Sequence, residues 1–102
     1  MKQSKQTVLI TGGSSGIGLA LAKNFLKNDN TVIITGRNLR KLEKVKAENP
    51  KIHIFQSDVT DDVEVKLLRD NIQQKFNGLD VLINNAGAMN LVDAGNESND
   101  LQ

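Results

Sequence analysis

The stretch TGGSSGIG, residues 11–18, packs four glycines and two serines between an apolar run, TVLI, and a helix-like segment, LALAKNFLKN. An ordinary strand-to-helix turn needs one or two glycines. Two readings compete. The turn is a flexible loop, or it is an anion site, where glycine lets backbone amides approach a phosphate and the helix N-terminus supplies positive potential. The rest of the chain has to decide between them.

Working outward, Thr7 to Thr11 is short, apolar and β-branched, which suits a strand buried on both faces of a parallel sheet. A helix is expected over residues 17–28, with Ile17, Leu21 and Phe25 and the Ala20/Asn24 row at helical spacing, ending in the turn-prone NDN. TVII at 31–34 repeats the strand signature. RNLRKLEKVKAEN at 37–49 then sets Leu39, Leu42, Val45 and Lys46 on one stripe before Pro50 forbids continuation. KIHIF at 51–55 reads as a third strand. The helix over 61–76 opens with the capping pair Asp61 and Glu64 and carries Val65, Leu68, Ile72 and Phe76 on one face. DVLINN at 80–85 is the fourth strand. Strict strand–helix alternation predicts an α/β fold: a Rossmann-like parallel sheet in order 3-2-1-4 with helices on both faces and right-handed crossovers. The unit is expected over residues 1–88, with 89–102, rich in Asn, Asp, Ser and Gly, as a loop or disordered tail.

Composition excludes several classes. Thirteen basic against 12 acidic residues give a net charge of +1 with no polybasic arm, so neither nucleic acid nor a membrane surface is implied. No apolar run has membrane-spanning length and the N-terminus lacks a signal-type core, which makes the cytoplasm the expected location. With no Cys and a single His, neither thiolate chemistry nor a metal site is expected. His53 lies in mid-strand without an ionisable partner in view and is read as structural.

In this context the glycine turn meets both conditions for a phosphate site: it follows a strand and opens a helix. A mononucleotide P-loop needs Lys-Ser or Lys-Thr after its last glycine, whereas Gly18 is followed by Leu19-Ala20. The spacing is G-x-x-x-G-x-G over Gly12, Gly16 and Gly18. One glycine serves the sharp turn, one the close approach to pyrophosphate, and one the helix–strand contact.

TGGSSGIG resembles the cofactor turn T-G-x-x-x-G-[IL]-G of the short-chain dehydrogenase/reductase family. TGRN at 35–38, Asp58-Val59 and NNAG at 84–87 match that family in the expected order. The wording around TGRNLRKL and NNAGAMN resembles bacterial members found beside D-alanine-transfer genes. The resemblance implies that Gly12, Ser14, Ser15, Gly16, Ile17 and Gly18 hold the pyrophosphate and adjacent ribose. It also implies that Asp58 bonds the adenine amino group, that Val59 packs on the ring, and that Asn85, Ala86 and Gly87 line the ribose and nicotinamide side. Asn84 would tie strands together.

An acidic residue about 20 positions beyond the glycine turn selects NAD through the ribose 2′-OH, while Arg there receives the 2′-phosphate of NADP. Gly36 holds the acidic position and Arg37 follows it, so NADP is preferred over NAD. The family's Tyr-x-x-x-Lys pair is absent, because the chain has no tyrosine. No catalytic residue is therefore assigned. The chain is expected to be the cofactor half of a truncated oxidoreductase, inactive alone, or a dinucleotide-binding module or fold remnant without chemistry. Its fourth strand is expected to leave an exposed edge prone to self-association.

Overall fold

The computed structural model describes residues 5–14 and 16–85. Four short runs of β-branched and aliphatic residues form strands: β1 (Thr7–Thr11), β2 (Thr31–Gly36), β3 (His53–Gln56) and β4 (Val81–Asn84). Between them lie α1 (Gly16–Lys27), α2 (Leu39–Glu48) and α3 (Asp62–Phe76). The strands pair in parallel in the order β3-β2-β1-β4, as the alternation predicts. The candidate tail, residues 89–102, lies outside the described residues.

Burial explains why the central strands read as unbroken apolar runs. Val8, Ile10, Val32 and Ile34 point to one face and pack with Ala22 of α1, Leu42 and Val45 of α2, and Ile52. Leu9 and Ile33 point to the other and meet Leu68 and Ile72 of α3, with Phe55 and Leu82 alongside. Each such aliphatic side chain, fully buried, contributes roughly 1.5–3 kcal/mol, so both faces of β1 and β2 help hold the sheet.

Three local expectations need correction. In α1 the buried row is Gly18 and Ala22, while Ile17 is 73% exposed. The helix approaches the sheet through its smallest side chains, which turns Ile17 outward. In α2, Leu39 is 42% exposed, and only Leu42 and Val45 of the expected stripe are buried. Lys46 instead reaches along the chain to donate to the carbonyls of Pro50 (2.8 Å) and Ile52 (2.9 Å). The third strand begins at His53 because the Ile52 amide is taken by the Asn49 carbonyl, closing a turn before the chain enters the sheet.

Candidate functional site

The glycine turn leaves β1 and crosses the end of β2, where the amides of Gly12 and Gly13 both donate to the Thr35 carbonyl (2.9 and 3.3 Å). Gly12 and Gly16 have φ of +68° and +60°, a conformation that glycine adopts without the penalty of a Cβ. At Gly16 a Cβ would have nothing within 4 Å, so the turn is open on that side. Two other positions are closed. A Cβ on Gly18 would lie 2.5 Å from the Gly12 carbonyl oxygen and 2.7 Å from Asn85 Nδ2, and one on Gly13 would lie 2.6 Å from Ile34 Cγ2. Gly18 is thus the helix contact that the spacing predicts. Gly13 is a packing position that the spacing did not reveal. The first turn of α1 has no acidic residue, leaving the positive end of its dipole uncompensated by side chains there.

A polar joint holds this turn to β4. Thr11 Oγ1 donates to Asn84 Oδ1 (3.0 Å) and accepts from the Asn85 amide (3.0 Å). Asn85 Nδ2 donates to the Gly12 carbonyl (3.1 Å). The expected tie through Asn84 is therefore present, running to Thr11 of the neighbouring strand.

The opposite wall follows β3. Asp58 Oδ1 accepts from the Thr60 hydroxyl (2.6 Å) and the Thr60 amide (3.0 Å). These bonds, the hydroxyl's foremost, hold the Asp58 carboxyl below the usual aspartate range, and nearby Arg37 adds to the effect. Asp61 caps α3 by accepting from the Val63 and Glu64 amides (2.9 and 3.4 Å). Its expected partner does something else: Glu64 Oε1 accepts from the Asp58 amide (2.7 Å), because the Asp61 amide already donates to the Asp58 carbonyl (3.0 Å). The Gln56 side chain donates to the Arg37 carbonyl (3.1 Å), fixing the end of β2 to the end of β3.

A cleft of about 310 Å³ brings together Gly12, Ser14, Arg37, Asp58 and Val59 from the predicted set. Val59 is already 7% exposed. Gly16 and Ile17 lie exposed at the start of α1, while Gly18 and Asn85 meet beneath the turn. Ser15, Ala86 and Gly87 lie outside the described residues. The cleft also contains residues that the sequence reading missed. Lys41 follows Arg37 by four positions, a spacing that could have flagged it. Thr35 Oγ1 and Ser57 Oγ are buried with no hydrogen-bond partner, which only the fold could reveal. A larger cleft of about 630 Å³ on the α3 side shares Arg37, Ser57 and Asp58.

His53 sits at the start of β3, with its ring edge-on to Phe76 at 4.8 Å. Burial, then the charges of Lys46 and Lys75, push its pKa down. Among the described residues no group of three or more His, Cys, Asp or Glu side chains could hold a metal ion, and no helix is long and apolar enough to cross a membrane.

Comparison with known proteins matches residues 6–101 to the short chain dehydrogenase family. The uncharacterized oxidoreductase DltE of Bacillus subtilis is 45% identical over 93 residues, covering 91% of this chain and 37% of that protein. This relative agrees with the resemblance to members beside D-alanine-transfer genes. Human carbonyl reductase [NADPH] 1 is 33% identical over 92 residues, covering 85% of this chain and 33% of that one. A crystal structure of a short chain dehydrogenase from Bacillus anthracis superposes with a TM-score of 0.77 at 39% identity, over 82% of this chain and 35% of that one. The chain thus spans about a third of the length of these relatives. With its sheet order, its glycine turn and nearly its whole length matched, the chain belongs to the short-chain dehydrogenase family.

Proposed function

We propose that this chain is the dinucleotide-binding part of a cytoplasmic oxidoreductase that exchanges a hydride between NADP(H) and a carbonyl or alcohol. The observation that carries the reading is the end of β2, where Gly36 supplies no carboxylate and Arg37 lines the cleft beside Ser14. A guanidinium there suits the 2′-phosphate, and an aspartate would suit the bare ribose diol. The human relative named for NADPH use points the same way.

The residues fit a dinucleotide. The open face at Gly16 suits a pyrophosphate against the start of α1, with Gly12, Ser14, Ile17 and Gly18 in the turn beside it and Ser15 assigned to the same role from the motif alone. Asp58, kept ionised by Thr60, is suited to accept from the adenine amino group, with Val59 against the ring. Asn85, pinned to Gly12, begins the segment with Ala86 and Gly87 that would line the ribose and nicotinamide side. Bound NADPH would supply the hydride. The residues described here bind and orient it, and no tyrosine is present in the 102 residues to donate a proton to the carbonyl oxygen. That absence favours, as the alternative for this polypeptide by itself, a binding module without turnover.

Titration of the 102-residue chain with NADPH and NADH, alongside turnover assays on a panel of carbonyls, tests both points. Tighter NADPH binding without carbonyl reduction is expected. Arg37→Ala should narrow the preference by about tenfold, the worth of a charge-assisted phosphate contact. Equal loss of both cofactors in that variant would overturn the assignment, and cofactor-dependent reduction by the pure chain would overturn the division of labour.

A further inference from the structure

We propose that Glu64, in the first turn of α3, is a positioning residue for Asp58, holding that carboxylate in the one orientation that distinguishes an amino-bearing purine from an oxo-bearing one. This inference rests on the assignment of Asp58 to adenine above and adds the group that fixes the carboxylate from outside its own turn.

Three of the four polar atoms of Asp58 are held, each by a different residue. Its amide donates to Glu64 Oε1 (2.7 Å), and its carbonyl accepts from the Asp61 amide (3.0 Å). Its Oδ1 accepts from both the hydroxyl and the amide of Thr60 (2.6 and 3.0 Å). Among the described residues no hydrogen-bond donor reaches the fourth atom, Oδ2. An ionised carboxylate oxygen is an acceptor only, so it selects an exocyclic amine and rejects a carbonyl oxygen in the same place. Asp58 lines both clefts and so stands at their junction.

The three contacts differ in reach. Thr60 and Asp61 belong to the same turn as Asp58 and move with it. Glu64 lies six positions on, in a helix whose Val65, Leu68 and Ile72 are buried. Asp61 caps that helix through the Val63 and Glu64 amides, which fixes the Glu64 backbone before its side chain turns back. On the other flank the Ser57 amide donates to the Gly36 carbonyl (2.9 Å), tying the residue before Asp58 to the end of β2. Asp58 is clamped between the sheet and α3, and Glu64 is the α3 side of the clamp. Its bond is charge-assisted, a class roughly twice as strong as a neutral one. In a reciprocal cap Glu64 would serve the Asp61 amide and the helix end alone. That amide is taken by the Asp58 carbonyl, and Glu64 reaches the residue that lines the clefts instead.

The test titrates the full 102-residue chain with NADPH and with its analogue in which hypoxanthine replaces adenine, so that a carbonyl oxygen stands where the amino group was. The wild-type chain should prefer the adenine form, and Asp58→Ala should erase that preference. Glu64→Ala should narrow it by about threefold to tenfold, the worth of misaligning a hydrogen bond to a charged group. Glu64→Asp keeps the charge at the helix start but is one methylene short, and it should behave like Glu64→Ala. Glu64→Gln keeps the acceptor oxygen at full reach and should retain most of the preference. In the cofactor-free chain, hydrogen exchange of the Asp58 amide should be faster in Glu64→Ala and Glu64→Asp than in the wild type or Glu64→Gln. If the wild-type chain binds both forms equally, or neither, the assignment of Asp58 to adenine falls and this inference with it. If it prefers adenine and the Ala and Asp variants keep that preference in full, or weaken both forms by the same factor, Glu64 supports only the helix end and its positioning role alone is refuted. Unchanged exchange at Asp58 in both variants would equally refute it.

Discussion

Thr11 of β1 and Asn84 of β4 sit opposite each other in register and are joined side chain to side chain by a 3.0 Å hydrogen bond. The same Thr11 oxygen receives the Asn85 amide, so one fully buried hydroxyl serves both the strand pair and the segment leading from it. Thr11→Val keeps the shape and strands two polar partners, which should cost about 1–3 kcal/mol in urea unfolding. Thr11→Ser should recover most of the loss. Equal stability of the Val and Ser variants would show that the joint contributes little.

The glycines of the turn should separate by assay. Gly18→Ala forces a methyl group into contact with backbone and the Asn85 side chain, so a destabilisation of about 1–3 kcal/mol is expected, read as a lower melting temperature. At Gly16 a Cβ has nothing within 4 Å, yet Gly16→Val strains a φ of +60° and extends into the open face. It should weaken NADH and NADPH together, unlike any change at Arg37. Unaltered cofactor binding in a folded Gly16→Val chain would remove the pyrophosphate from that face.

Asp58 should serve both cofactors alike, because adenine is common to them. Asp58→Ala is therefore expected to weaken NADH and NADPH by similar factors. The Thr60 bonds lower the carboxyl pKa, so wild-type binding should stay level as the pH falls past the ordinary aspartate value of 3.8. In Thr60→Val the acidic loss should begin at higher pH. A selective effect of Asp58→Ala on NADPH would place the residue elsewhere in the site.

His53 gives the fold its own pH dependence. Its pKa is lowered by burial and then by Lys46 and Lys75, so below the ordinary value of 6.5 the unfolded chain takes up a proton that the folded chain resists. Stability is undiminished above 6.5, falls as the pH drops from there towards the lower folded value, and levels off beneath it. His53→Gln should remove this slope from denaturation curves taken downward from neutral pH. An unchanged slope would assign it to other groups.

The outer edge of β4 concerns assembly. Among the described residues β4 pairs only with β1, and its Val81, Leu82 and Ile83 are half-buried. We propose that copies of the 102-residue chain associate through this edge, since unpaired strand amides and carbonyls seek partners. Sedimentation should show a mass that rises with concentration. A monomer throughout the accessible range would refute it.

Much of this architecture was legible because periodicity and punctuation agree. Alternating apolar runs and amphipathic segments specify the parallel order, and the glycine spacing singles out a turn that the fold places at the ends of β1 and β2. What escaped reading depends on contacts between distant segments. Ile17 looks like a core residue in a helical stripe, yet the close approach at Gly18 rotates it into solvent. Glu64 looks like half of a reciprocal cap, yet a turn closed by Asp58 and Asp61 sends it to a different amide. The bare hydroxyls of Thr35 and Ser57 become visible only once the strand ends converge on the same cleft.

Gly36 needs none of the freedom that the turn glycines use. A Cβ there would meet Leu42 and Ser14 at 3.6 Å, ordinary contact distance, and its φ is not positive. A Cβ is therefore tolerated at this position by the backbone as it stands, and an aspartate there would carry a carboxylate next in sequence to Arg37, where it would favour a free ribose diol. On the NADPH reading proposed above, exchange of one cofactor for the other would be a single substitution at a position where the backbone has room for a Cβ, so a lineage carrying this fold could follow the redox pool available to it.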